Sequence, residues 1–466
     1  MIGTIGLIVS QLFPAILGYM FLSVLWKDAH VAARIGYGYL MGILLAVCLL
    51  YSFGIMGLAL NFKVISTIIL ILILILIPFY HMICSSSGSP LRSPFEFSWR
   101  DLLWMLFVIV IVLRTIGLLA EELWRPLYPW DAWMNWAPKA KVWLELHKLV
   151  PFVHYFDWGE ESLINSAYTL GNPEASTYPS LVPLMQTWAS MGLGYWRDNW
   201  INISWGVLAI AFMLAFYGQL RMLQFSPLWS ILSTMLVFNA PYMNTHTALG
   251  GYADIWIAAF YCAALMSFIN WNFTKSKVQL ALMFVMAIAC FLTKIPGLIW
   301  AFTIVLGVLF AKTHMSVRYL LLLLTIGLVV SIVVGFGITF EIVGNHVFSL
   351  TKNAIEIPGL GGYSISYHAI GKYILLNNLV FDNWHLLGWL CLVFILPAIV
   401  QASTDFRLQP IVITMSSGVL FIAFIFFYTD YYINAIDATT LNRATFHLLP
   451  ALYYFINIAL FKTKEA

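Results

Sequence analysis

Val64-Ile65-Ser66-Thr67-Ile68-Ile69-Leu70-Ile71-Leu72-Ile73-Leu74-Ile75-Leu76-Ile77-Pro78-Phe79-Tyr80 contains no charged residue. At about 1.5 Å of rise per residue, a helix of this length covers most of a hydrocarbon core roughly 30 Å thick. Comparable runs recur along the chain, near Gly3–Leu25, Gly36–Ala59, Leu102–Ala120, Ile201–Tyr217, Pro227–Pro241 and Ala253–Ile269. They continue near Val278–Thr293, Ile295–Phe310, Tyr319–Phe340, Trp384–Val400, Ile411–Tyr428 and Thr445–Phe461. The sixth in chain order is short, and Ser226-Pro227 supplies its N-cap and first turn. Composition agrees, because only 9% of the 466 residues are charged and 62% are hydrophobic, with a mean hydropathy of +0.89. Soluble domains carry about a quarter charged residues. These values exclude a soluble globular, disordered, collagen-like or disulfide-scaffold chain, and a net charge of +3 does not point to nucleic acid. The expected fold is an all-α polytopic membrane protein with about thirteen transmembrane helices.

Lys and Arg in the connecting segments set the expected orientation. Alternate loops carry Lys27, Arg34, Arg92, Arg100, Arg221, Lys275, Lys277, Lys312, Arg318, Arg407, Lys462 and Lys464, twelve in all, against Lys63, Lys294 and Arg443 on the other side. The first set is therefore expected to be cytoplasmic, with the N-terminus outside and the C-terminus inside. Fifteen of the twenty acids fall on the outer side, a bias explained mostly by solvated loop surface. No basic n-region or Ala-x-Ala site precedes the first span, so it is expected to remain as a helix. Cys48, Cys84, Cys262, Cys290 and Cys391 fall in spans or on the cytoplasmic side and imply neither a disulfide framework nor a Cys-based metal site. No internal repeat and no separate soluble domain is evident.

Two long outer loops interrupt this pattern, at 121–199 and 341–383. The first opens Glu121-Glu122-Leu123-Trp124-Arg125-Pro126 and continues through Tyr128-Pro129-Trp130-Asp131-Ala132-Trp133-Met134-Asn135-Trp136-Ala137-Pro138. Pro138 suits a helix's first turn, and Ala140, Trp143 and Leu144 then share a face. That predicts an amphipathic helix lying in the membrane interface. Trp130, Trp133 and Trp136 around Asp131 predict a partly desolvated carboxylate, and Asp131 reads equally well as a general base or a helix cap. Asn172-Pro173 to Pro179 leads into a short helical stretch from Ser180 to Trp196, chiefly structural in its reading. The second loop carries His346, Lys352, Glu356, Pro358-Gly359-Leu360-Gly361-Gly362, His368 and Lys372. It matches no phosphate-loop spacing and reads as a flexible lid.

Ionisable residues at membrane depth are functional candidates by default. Asp254 begins a helix in Gly250-Gly251-Tyr252-Ala253-Asp254-Ile255-Trp256, where capping is the plain alternative. Lys294 sits in the tight turn Leu292-Thr293-Lys294-Ile295-Pro296-Gly297, and Arg443 opens the last helix in Asn442-Arg443-Ala444-Thr445-Phe446. For both, a solvated loop charge explains the position equally well. Arg114, about two turns inside its span, is expected to snorkel towards Glu121 or Glu122. The topology puts Asp131, Asp254, Lys294, Arg443 and Arg114 at one interface. An acid that accepts a proton, facing cations that hold an anionic leaving group, is what sugar transfer from a lipid phosphate requires.

On these motifs the chain resembles the GT-C superfamily of integral-membrane glycosyltransferases, especially relatives of protein O-mannosyltransferases and lipid A aminoarabinose transferases. The likeness rests on Tyr128-Pro129-Trp130-Asp131-Ala132, Tyr178-Pro179-Ser180-Leu181, Gly251-Tyr252-Ala253-Asp254 with Leu292-Thr293-Lys294-Ile295-Pro296-Gly297, and Arg443 with Leu448-Leu449-Pro450. It covers about Leu102 to the C-terminus, so residues 1–100, with three helices, precede a GT-C-like module at 101–466 that includes both long loops. The resemblance implies an inverting transfer from a polyprenyl-phosphate sugar to an acceptor on the outer face; the compact loops and lack of a soluble domain favour a bacterial inner membrane. It makes Asp131 the catalytic base, Lys294 and Arg443 phosphate contacts and Asp254 an organiser, with Arg114 and Glu122 as further substrate-site candidates. The acidic pair usual in the family is missing, since Ala132-Trp133 follows Asp131; Glu121-Glu122 is the substitute. No metal ligand set is expected, and divalent-metal use stays open. The partners expected are the lipid-linked donor, membrane lipids and a saccharide, lipid or protein acceptor, with no nucleic acid. The competing functions are a lipid-linked saccharide flippase or other transporter, an O-antigen-type polymerase or ligase, and a non-catalytic scaffold.

Overall fold

The computed structural model describes residues 2–86, 98–160, 165–313, 327, 330, 335, 337–342, 346–357 and 361–462. The chain divides into two compact units, Met1–Ala301 with Phe461–Ala466 and Phe302–Leu460. Among the described residues, nine helices are long and apolar enough to cross a membrane, and three shorter apolar helices accompany them. The chain is a helical multi-pass membrane protein. Most of the expected span at Tyr319–Phe340 lies outside the described residues; its final residues, from Ile338, are β-strand instead.

The first unit contains α1 (Ile2–Leu25), α2 (Val31–Ile55), α3 (Phe62–Ser86), α4 (Trp99–Trp124), α5 (Ala137–Leu146), α6 (Leu181–Leu193) and α7 (Ile203–Met222). It continues with α8 (Pro227–Phe238), α9 (Pro241–Ala248), α10 (Asp254–Thr274), α11 (Lys277–Thr293) and the start of α12 (Pro296–Lys312). Small residues let α1 and α2 pack backbone to backbone, Gly18 lying on Gly38 and Gly42 on Pro14. The central element is α10, buried along its whole membrane window and packed on α7 and α11. Several polar side chains inside the bundle are paired across helices, which offsets the cost of burying them. Tyr39 and Ser204 both donate to Gln11 Oε1, at 2.9 and 3.1 Å. Asn270 on α10 donates to Gln219 Oε1 on α7 at 2.7 Å, and Gln279 on α11 does so at 3.1 Å. These bonds fix the rotational setting of helices that apolar contact alone would leave free to turn.

Between α4 and α7, helices α5 and α6 pack on one another. Helix α5 has Pro138 in its first turn, as the sequence predicts. Its apolar face, Ala140, Trp143 and Leu144, is buried against α6 rather than left to meet lipid. All of α6 is buried, and it stops at Gly194 in the left-handed region.

The second unit departs from pure helix in one place. Strands β1 (Ile338–Ile342), β2 (His346–Leu350), β3 (Ala354–Ile357) and β4 (Gly361–Ser364) form an antiparallel meander where a flexible lid was expected. Phe340 lies opposite Phe348, and Ile355 opposite Tyr363. Backbone bonds from Ser366 and His368 to Tyr428 and Phe427 then tie the chain after β4 to helix Gln409–Tyr428. Ile370, Phe426, Ala435 and Leu441 form a small core there.

Candidate functional site

Three helix ends of the first unit bring charged residues together. Lys294 is the C-cap of α11, with extended backbone, and only Ile295 separates it from Pro296 at the start of α12. The connection can be this short because position 297 is glycine: a Cβ there would collide with the Cys290 carbonyl of α11. Asp254 is the first residue of α10, where the positive end of the helix dipole favours a carboxylate. Gly251 precedes it with φ at +111°, and a Cβ at this glycine would stand 2.6 Å from the Ala132 side chain. That close approach brings the segment carrying Asp131 to the start of α10. Asp131 itself lies immediately before a π-helical turn, Ala132–Trp136, which runs into α5.

The Lys294 ammonium lies 3.0 Å from Asp131 Oδ2 and 3.6 Å from Asp254 Oδ1. Side-chain exposures are 11% for Lys294, 7% for Asp131 and 1% for Asp254, so this is a buried cluster of two carboxylates around one cation. Residues 131, 254 and 294 come from motifs more than a hundred positions apart at their widest, and sequence reasoning assigned all three to one interface; the structure brings them into contact. The expected tryptophan enclosure of Asp131 is not what surrounds it. Trp130 and Trp133 are exposed while Trp136 is buried, and the charged partner at hydrogen-bond distance is Lys294.

Glu122 is also buried, at 2% exposure, in the last turns of α4. Its Oε1 accepts a hydrogen bond from the Gly206 N–H at 3.3 Å, and Oε2 has no hydrogen-bond partner among the described residues. Side chains at Gly206 or Gly250 would press on this carboxylate, at 2.5 and 3.1 Å. Asn202 accepts from Gln186 at 2.9 Å and donates to the Gly250 carbonyl at 3.1 Å. The Gly250-Gly251 turn is thus flanked by Glu122 and Asn202 on one side and by Ala132, next to Asp131, on the other. Sequence reasoning missed Asn202 and Gln186; buried amides at the ends of apolar runs were the available signal.

Arg114 does not snorkel to Glu121 or Glu122. Its Nε faces Asn244 Oδ1 of α9 at 3.4 Å, and Glu121 pairs with Arg125 at 2.6 Å. The expectation failed because α9, a short helix not foreseen after the sixth span, packs beside α4. Arg443 belongs to the second unit, half-buried in the first turn of Thr440–Phe461.

The Tyr178-Pro179 motif packs against the same segment. The Tyr178 ring meets Trp136 edge to face at 5.2 Å, and its carbonyl accepts from the Lys139 ammonium at 3.2 Å. Lys139, another residue the sequence did not single out, is 2% exposed and lies over the Phe152 ring. Burial lowers its pKa to about 8. Asn135 Oδ1 accepts from Asn172 at 2.8 Å, a second tie across the loop. Among the described residues, no group of three or more His, Cys, Asp or Glu is arranged to hold a metal ion. What the cluster offers chemically is a buried carboxylate pair able to take up a proton and an ammonium able to hold an anion. Compared with known proteins, the chain matches no family model, no curated protein and no solved structure.

Proposed function

We propose that this chain is a glycosyltransferase with thirteen membrane spans that moves a sugar from a polyprenyl-phosphate donor to an acceptor at the outer face of a bacterial inner membrane, with inversion. The observation that carries the reading is the buried Asp131–Lys294–Asp254 cluster, together with its resemblance to the GT-C pattern in the motifs that supply it.

In this mechanism Lys294 leaves Asp131 for the donor's phosphate. The exchange answers a buried cation's need for an anionic partner and frees the Asp131 carboxylate to accept a proton. An acceptor hydroxyl or amine attacks the anomeric carbon and loses its proton to Asp131. The bond from that carbon to the phosphate oxygen breaks, and the lipid phosphate departs with the electron pair, its charge held by Lys294. Asp254, against the same ammonium, keeps Lys294 in reach throughout. Glu122 buttresses the Gly250-Gly251 turn from which α10 starts.

The test uses purified protein in nanodiscs, a panel of radiolabelled polyprenyl-phosphate sugars and a membrane extract as acceptor source. Wild type should transfer label from one donor, and Asp131→Asn should not, with folding and membrane insertion intact. Near-normal turnover by the variant overturns the role of Asp131. Movement of the intact lipid-linked sugar across liposome membranes without transfer would make the chain a transporter instead.

A further inference from the structure

We propose that a hollow at residues 378–389 in the second unit is a binding site for a neutral saccharide ring. The cavity holds about 320 Å³ and is lined by Asn378, Asp382, Asn383, Trp384, His385 and Trp389, with two leucines. That size is at the lower end of small-molecule sites, about 300 Å³ and upward, which combine aromatic walls with a few converging polar groups.

Its backbone is held in an unusual form. Asp382 and His385 both have positive φ, +56° and +46°, within one four-residue turn. Non-glycine residues rarely adopt this conformation, and they keep it where surrounding contacts over-determine it, characteristically at ligand sites. The restraint here is a 2.6 Å contact between His385 Nδ1 and Asp382 Oδ1 at the exposed rim. Beneath the turn, Asn383 donates to the Asn377 carbonyl at 2.9 Å. The Asn378 amide N–H bonds back to the Ile374 carbonyl at 3.0 Å, leaving its buried Oδ1 with no donor among the described residues.

The chemistry selects the ligand class. No lysine or arginine is among the lining residues, and the carboxylate of Asp382 repels a phosphate or sulfate. Trp389, in the first turn of the membrane-span helix Leu386–Ser403, presents its ring at the membrane interface to the apolar face of a sugar, while Asp382 and His385 meet hydroxyls. The site shares no residue with the Asp131 cluster and stands whether or not that cluster transfers sugars.

The test is saturation-transfer NMR on the full chain in nanodiscs with methyl glycosides of hexoses, N-acetylhexosamines and pentoses. At least one should give a saturable signal absent from empty nanodiscs. Trp389→Ala and the milder Asp382→Asn, at an exposed position, should each weaken it about tenfold. Both variants should keep wild-type transfer of label from the polyprenyl-phosphate donors, and a saturable glycoside signal in a wild-type protein that transfers from no donor refutes the transferase reading and leaves this one intact. No saturable glycoside, equal binding in folded Asp382→Asn and Trp389→Ala, or binding of inorganic phosphate in place of glycosides overturns the proposal.

Discussion

Replacing Lys294 with methionine keeps an unbranched side chain one atom shorter and removes the positive charge that Asp131 and Asp254 share. At an effective dielectric constant of about 20, Coulomb attraction comes to about 5.5 kcal/mol over the 3.0 Å contact and about 4.6 kcal/mol over the 3.6 Å contact. Desolvation of the three groups offsets much of that in the intact cluster. Removing the cation alone, however, takes that ammonium from two buried carboxylates, and breaking buried pairs in this way costs about 3–5 kcal/mol. Reversible unfolding in a sodium dodecyl sulfate titration should therefore show Lys294→Met destabilised by about that amount. Combining it with Asp131→Asn and Asp254→Asn should recover most of the loss, because the two carboxylate charges that faced the ammonium are then gone as well. A Lys294→Met protein within about 0.5 kcal/mol of wild type, the range typical of surface changes, would refute the cluster as a buried ionic unit. A triple variant no more stable than Lys294→Met would refute the electrostatic explanation of the loss.

Lys139 predicts a pH dependence. Its pKa of about 8 lies below the ordinary lysine value of 10.5, so between those values the unfolded chain binds more protons and stability rises with pH, by about 3 kcal/mol at most. Unfolding titrations from pH 7.5 to 10.5 should show the rise in wild type and its loss in Lys139→Met; parallel profiles would remove Lys139 as the cause. At Gly251, alanine meets both a positive φ and the Ala132 side chain 2.6 Å away, so Gly251→Ala should cost about 1–3 kcal/mol in the same titration. An unchanged midpoint would show that the turn and the Asp131 segment are not in firm contact.

Much of the membrane-spanning pattern was readable in the residues because hydropathy over about twenty positions is a local property. The common location of Asp131, Asp254 and Lys294 was readable for a related reason: in a multi-pass chain, counting crossings assigns a side to every loop. What counting does not give is the partner of each side chain. Arg114 was aimed at Glu121 and Glu122 by proximity along one helix, but Asn244 reaches it from another. The apolar face of α5 suits lipid and protein equally, and the presence of α6 decides between them. The meander at 338–364 was hidden because its strands are four or five residues long and each depends on a neighbour for its hydrogen bonds. Asn202 and Lys139 gained significance only from the carbonyls they meet, at Gly250 and Tyr178.

The π-helical turn at Ala132–Trp136 has a geometric consequence for the residue in front of it. Successive side chains on an α-helix are set about 100° apart around the axis, and a turn closed from i to i+5 takes in one residue more than a regular turn. Asp131 therefore sits at a different azimuth from the one that α5, continued backwards as a regular helix, would assign to it. The turn works like a vernier, indexing one carboxylate by a single residue step while the helix behind it stays seated on α6. A one-residue deletion in this turn would re-aim Asp131 away from Lys294 without disturbing a single charge.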